Sequence, residues 1–163
     1  SMTKIMTSYI VFDRIRNSNL KLNDEFIVSE KAYKKGGSRM FLETNSKVSL
    51  EDLLYGVIVQ SGNDASIVIA ENISGSESAF ADLMNEYSKK LGMNNTNFVN
   101  ASGWPHPNHY SSMFDLYLLS NAIINDFPEL YKMFSGKRFK YNEDGTIDLI
   151  GNNIFNVFIA KIT

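Results

Sequence analysis

Residues 48–66 read VSLEDLLYGVIVQSGNDAS, two apolar stretches parted by a small polar turn. Ser49 is placed to cap a helix: Asp52 three residues on approximates a capping box, and Leu50, Leu53, Leu54, Val57 and Ile58 follow at helical spacing. QSGNDAS interrupts that helix, and DASIVIAENI, residues 64–73, starts another that is largely apolar. Gly62 permits a tight backbone bend that can present Ser61 and Asn63 into a cleft. A hydroxyl and a carboxamide aimed the same way can relay a proton and hold a substrate carbonyl. Taken alone, the turn is more simply a polar link with Ser61 or Asn63 as a cap.

Upstream, residues 2–15 carry Met2, Ile5, Met6, Tyr9, Ile10 and Phe12 at the spacing of a helix with a buried face. NSNLKLNDEF reads as a polar turn, EFIVSEKAY as a short extended piece, and RMFLE, residues 39–43, as a short strand after the Gly36-Gly37 loop. Downstream, Gly75 punctuates and SESAFADLMNEYSKKLG forms an amphipathic helix, with lysines in its last turn and Gly92 at C′. MNNTNFVNASGWPHPNHY is irregular. Ser111 or Ser112 caps a helix through Leu116, Leu119, Ile123 and Ile124 that ends near Asp126–Pro128. KRFKYN and EDGTIDL read as strands joined by an Asp144-Gly145 hairpin turn, followed by an apolar run to Thr163. Helices fill the front of the chain and strands gather at its back.

At 163 residues the chain is one domain's worth, enough to bury a core. A net charge of -2 without single-sign blocks points to neither nucleic acid nor an anionic membrane as partner. The absence of cysteine rules out disulfides, thiol catalysis and zinc–thiolate sites, and leaves the compartment open. Within these residues neither a signal-peptide pattern nor an apolar run of membrane-spanning length is visible. A start on serine inside a helical pattern, and an end on an uncapped apolar run, read as a segment of something longer.

The first helical turn carries Ser1 and Lys4. Residues i and i+3 share a helix face with Cβ atoms about 5–6 Å apart, so the amine can reach the hydroxyl. Serine needs a base to attack, and lysine serves as one only when desolvation or a nearby positive charge leaves it neutral. The tetrad alone is more simply a helix start with a serine cap and an exposed lysine. It gains weight beside Ser61-Gly62-Asn63, because SMTKIMT, KLNDEFIVSEKAY, GGSRMFLE, VSLEDLLYGVIVQSGNDAS, LGMNNTNFVNASG and HYSSMFDLYLLSNAII all resemble one family. It is that of the low-molecular-weight penicillin-binding proteins, the serine D-alanyl-D-alanine carboxypeptidases. The likeness is collinear over residues 1–142 and fades from about Gly151.

The resemblance implies an α/β fold of the DD-peptidase and β-lactamase type, a helical cluster against a mainly antiparallel sheet, here incomplete. Residues 1–163 are then a partial catalytic domain, with 143–163 divergent. It implies hydrolysis of the terminal D-Ala–D-Ala bond of peptidoglycan stem peptides through an acyl-serine, with β-lactams as inhibitors and with neither metal nor cofactor. By the same resemblance Ser1 is the nucleophile and Lys4 its base, Ser61 passes a proton toward the leaving D-alanine, and Asn63 contacts the substrate amide and orders Lys4. The compartment implied is the periplasm or cell envelope, with membrane attachment only through a C-terminal region that this chain lacks. Rival readings are a β-lactamase-like hydrolase, for which no carboxylate stands in a motif context, and a peptidoglycan-binding remnant without turnover.

The sequence departs from the family at one motif. Lys-Thr-Gly, which holds the substrate carboxylate, is absent; Lys161-Ile162-Thr163 and Ser135-Gly136-Lys137 come nearest, and both read as coincidence. Ser1 would carry a free amine where the family has an oxyanion-hole N–H, a donor worth about 2.7–4 kcal/mol in the transition state. The chain by itself is therefore expected to be a weak enzyme or none. Of the remaining residues, His106 and His109 lack a third metal ligand and read as cleft-rim or surface residues. Trp104 and Tyr110 read as loop anchors packed on the core, with a place at the cleft mouth as the alternative. Arg39 suits a surface ion pair, and Asp64 a helix cap.

Overall fold

The computed structural model describes residues 1–141 and, as backbone, 147–150. Helix α1 (Thr3–Asn17) is followed by β1 (Glu25–Ile27), α2 (Glu30–Tyr33), β2 (Lys47–Ser49), α3 (Leu50–Ile58), α4 (Asn63–Ser74), α5 (Glu77–Lys90), α6 (Met113–Asp126), α7 (Pro128–Tyr131), β3 (Arg138–Tyr141) and β4 (Ile147–Ile150). The strands form two antiparallel pairs, β1 with β2 through Phe26 opposite Val48, and β3 with β4 through Phe139 opposite Leu149. A helical cluster with antiparallel strands is thus the architecture. The expected Asp144-Gly145 turn, the apolar run toward Thr163 and Lys161-Ile162-Thr163 lie outside the described residues.

Helix α1 is the hub. Every residue from Thr3 to Phe12 is buried, because α3, α4, α5 and α6 all pack on it and leave it no solvated face. A helix in that position must satisfy its own polar side chains. Thr7 Oγ1 donates to the Ala101 carbonyl at 2.8 Å and Ser8 Oγ to the Lys4 carbonyl at 2.9 Å. Tyr9 and Phe12 meet Phe127 edge-on, and the Tyr9 hydroxyl donates to Asp126 at 2.7 Å, which fastens the end of α6 to the hub.

Three serines cap helices, two of them as their positions predict. Ser49, Ser76 and, of the 111/112 pair, Ser112 each accept from the backbone amide three residues on, at 3.1 Å. Gly92 follows α5 at φ +76.

Elsewhere the structure corrects the sequence reading. Of EFIVSEKAY only Glu25–Ile27 is strand; Ser29 caps a turn of helix over Glu30–Tyr33. RMFLE is not a strand. Phe41 turns the chain at φ +61, and the Met40 and Leu42 amides donate to the Asp64 carboxylate at 3.1 and 3.4 Å rather than to a neighbouring strand. Asp64 is accordingly a buried cradle for that loop and not a cap: the N-cap of α4 is Gly62. Asp64→Ala would leave these amides buried without acceptors, at an expected loss of about 2–4 kcal/mol in a urea titration; Asp64→Asn, keeping one acceptor oxygen, would lose about half as much.

Candidate active site

Three segments converge at the start of α1: residues 1–4, the link between α3 and α4, and the 93–110 loop. That loop has almost no regular structure, and part of its backbone is satisfied by asparagine side chains, residues well suited to such bonding. Asn85 exchanges a pair of 2.8 Å bonds with Phe98, and Asn100 Oδ1 accepts from the Gly103 and Trp104 amides at 2.8 and 2.9 Å. A single backbone bridge, Asn97 to Tyr110, closes it.

Ser1 is exposed and Lys4 is 5 % exposed. The Lys4 ammonium donates to Asn63 Oδ1 at 2.8 Å and to the Ser102 carbonyl at 2.6 Å. Both acceptors are uncharged, so burial dominates and lowers the lysine to about 8; Asp64 opposes this and Lys35 adds to it. Ser1 Oγ accepts from the Thr3 amide at 3.3 Å, and the Ser1 amino nitrogen donates to Ser61 Oγ at 3.2 Å. The structure therefore brings Lys4 and Asn63 into direct contact and sets Ser61 against Ser1. It does not place the Lys4 amine on the Ser1 hydroxyl as the i, i+3 argument anticipates, because a buried ammonium takes the two strong oxygen acceptors in reach.

The bend at 61–63 also differs in detail. Ser61 itself, at φ +57, makes the turn, and Gly62 has ordinary backbone angles. Its role is room, since a Cβ there would lie 3.0 Å from Asp64 Oδ1 and 3.2 Å from the Gly56 carbonyl. A non-glycine residue held in the left-handed region stores strain of about 1–3 kcal/mol, a feature that clusters at functional sites. Asn63 is fixed at both ends: its Nδ2 donates to the Gly36 carbonyl at 3.0 Å and its backbone N–H to the Ser38 carbonyl at 2.8 Å.

Around this centre, Trp104 is 43 % exposed with the Lys35 ammonium 4.0 Å above its ring. A Cβ on Gly37 would touch both Trp104 and Asn63 Nδ2, so Trp104 belongs to the rim beside Asn63 and is no core anchor. Tyr110 is 57 % exposed. Arg39 lies over its neighbour Phe41 at 5.3 Å. His106 Nδ1 accepts from the Asn108 amide at 3.1 Å, and both ring nitrogens of His109 are engaged within the protein. Among the described residues no three metal-type ligands gather. Ser135-Gly136-Lys137 leaves a 3-10 turn, with Gly136 against Tyr55 and Val59.

A family model for D-alanyl-D-alanine carboxypeptidases, peptidase S11, matches residues 1–158. The chain belongs to this family. It is 42% identical over 146 residues to the D-alanyl-D-alanine carboxypeptidase DacA of Haemophilus influenzae, covering 88% of this chain and 37% of that protein. It is also 42% identical over 149 residues to DacC of Escherichia coli, with the same coverage. Among solved structures, penicillin-binding protein 5 of Haemophilus influenzae superposes with a TM-score of 0.88 at 39% identity, over 99% of this chain and 46% of the other. The chain thus spans 37% of the length of these two curated relatives.

Two contributors escape any motif search. The Ser102 carbonyl that receives Lys4 is backbone and has no side-chain signature. Gly103, at φ +77, reads in the sequence only as a loop glycine, yet a Cβ there would fall 1.8 Å from Ser1 Oγ.

Proposed function

We propose that the protein is a serine D-alanyl-D-alanine carboxypeptidase of peptidoglycan, acting in the bacterial cell envelope. Ser1 Oγ attacks the carbonyl carbon of the penultimate D-alanine, and its proton passes to neutral Lys4 Nζ. The C–N bond breaks, and the departing D-alanine amine takes a proton through Ser61 Oγ. Asn63 holds the substrate amide and orients Lys4. Water then hydrolyses the acyl-Ser1 ester and restores both groups. Nucleophile and base are both side chains, so the route asks for no metal or cofactor.

The observation that carries this reading is the state of Lys4: buried, bonded only to neutral oxygens, and lowered to about 8 within the first turn after Ser1. An ordinary lysine titrates near 10.4 and is a poor base at neutral pH; this one is about one-tenth neutral at pH 7. Family membership supports the substrate class. β-Lactam capture is supported by the structures of penicillin-binding protein D2 from Listeria monocytogenes in ampicillin-bound and cefotaxime-bound forms, 27% and 28% identical to this chain. Among the described residues no helix is long and apolar enough to cross a membrane.

A fluorescent penicillin tests the proposal. The expected result is a persistent covalent adduct that peptide mass spectrometry maps to Ser1. Rapid release would replace the peptidase by a β-lactamase-like hydrolase, and no adduct would leave only a non-catalytic binding remnant. The labelling rate should climb about tenfold per pH unit below pH 8 and level off above it, following the neutral fraction of Lys4. A flat profile between pH 6 and 9 would remove Lys4 as the base.

A further inference from the structure

Acyl transfer as described leaves His109 without a role, although it reaches the first turn of α1. The Val99 amide donates to His109 Nδ1 at 3.2 Å, so that nitrogen holds a lone pair. In a neutral ring the proton then sits on Nε2. Nε2 lies 2.8 Å from Thr3 Oγ1, hence the ring donates and the hydroxyl accepts. Phe98 meets the ring edge-on, 5.7 Å between centroids. Burial first, and then the neighbouring His106, lower the basicity of His109, which favours the neutral ring that this pattern requires. Thr3 is buried and stands between Ser1 and Lys4. Its Oγ1 is 2.9 Å from the point where a Gly103 Cβ would lie, the same point that is 1.8 Å from Ser1 Oγ.

We propose that His109 is a positioning residue for acylation: as the Nε2–H tautomer it clamps the 97–110 loop onto Thr3, and so sets Ser1 Oγ and the Ser102 carbonyl that holds Lys4 in one frame. Val99 and His109 belong to the loop, Thr3 to the helix, and the bridge measures 3.2 Å at the Val99 end and 2.8 Å at the Thr3 end. Its loss would let the loop that carries Lys4's acceptor shift against the turn that carries Ser1. This inference rests on the acyl-Ser1 reading.

Two measurements test it. Long-range proton–nitrogen NMR of the imidazoles should show a pyrrole-type Nε2 and a pyridine-type Nδ1 for His109 in the parent protein, a readout independent of activity; the opposite tautomer overturns the clamp. Fluorescent-penicillin acylation is then compared among near-isosteric variants with matched melting curves. Thr3→Val, which keeps the shape and removes the acceptor, should slow acylation about tenfold. A glutamine amide nitrogen can occupy the place of Nε2, whereas an asparagine amide reaches only the place of Nδ1. His109→Gln is therefore expected within about threefold of the parent, and His109→Asn to match Thr3→Val. The Thr3→Val/His109→Asn double variant should be no slower than either single change, because both cut one link. Parental rates in Thr3→Val, or independent losses in the double variant, overturn the proposal. A parent protein that forms no adduct instead defeats the acyl-serine reading, and the tautomer still decides whether the clamp exists.

Discussion

Alanine at position 103 is expected to slow acylation of Ser1 by about a hundredfold or more, since a displacement of about 1 Å at a reacting atom costs that much. Its Cβ would lie 1.8 Å from Ser1 Oγ and 2.8 Å from Ser1 Cβ. Rotating the hydroxyl relieves the first clash and leaves the second, so either way the nucleophile quits its seat. The substitution also meets backbone strain, because Gly103 sits at φ +77, a conformation that costs an alanine about 1–2 kcal/mol. Gly92→Ala separates the two effects. Gly92 has φ +76 with nothing within 4 Å of its Cβ position, so this variant suffers the strain without the clash. Both proteins should melt at similarly reduced temperatures, and only Gly103→Ala should lose its labelling rate. Equal rates in the two would mean that Ser1 Oγ does not occupy the seat against Gly103, and the geometry of the site would have to be redrawn.

The contrast between those glycines shows what kind of information the sequence carries. Helices α3, α5 and α6 are legible because their determinants are local: a serine cap, an amide three residues on, and apolar spacing within a dozen positions. The 39–43 segment defeats the same approach. Its pattern suits a strand, but its amides bond to Asp64, more than twenty residues away, and Phe41 adopts a left-handed angle that no residue-type preference announces. The site divides along the same line. Ser1, Lys4, Ser61 and Asn63 stand out as residue types at familiar spacing, whereas the choice of partners does not. Lys4 ends on a side chain 59 residues away and on a carbonyl 98 residues away, and that pairing, rather than the nearness of Ser1, is what buries the amine. Gly62 draws the eye as the flexible residue of its triplet, but the strained angle falls on Ser61. Local chemistry predicts elements and candidates; the electrostatics of the centre follow only from the tertiary contacts.

Those electrostatics make Asn63→Asp a severe change at neutral pH. The side chain keeps its shape and its 2.8 Å contact with Lys4 Nζ, and it gains a negative charge that favours the ammonium. An opposite charge at such range moves a pKa by about 1–3 units, here upward from about 8. The neutral fraction of Lys4 at pH 7 then falls about tenfold for each unit, and the acylation rate should fall with it, by about ten- to a thousandfold. The variant also loses the donation from Asn63 Nδ2 to the Gly36 carbonyl, which loosens the 36–38 loop at every pH. The two losses are distinguishable by direction. Raising the pKa slides the rate profile toward alkaline pH and leaves its plateau within reach, whereas a loosened loop lowers the plateau itself. The expected outcome is therefore a variant that is nearly silent at pH 7 and whose rate climbs as the pH rises past about 10 to a plateau below the parental one. A variant depressed by the same factor across the whole range would show that Asn63 matters through its Nδ2 donation and not through the charge state of Lys4, and a variant unaffected at pH 7 would show that Lys4 works as a cation and that another group removes the Ser1 proton.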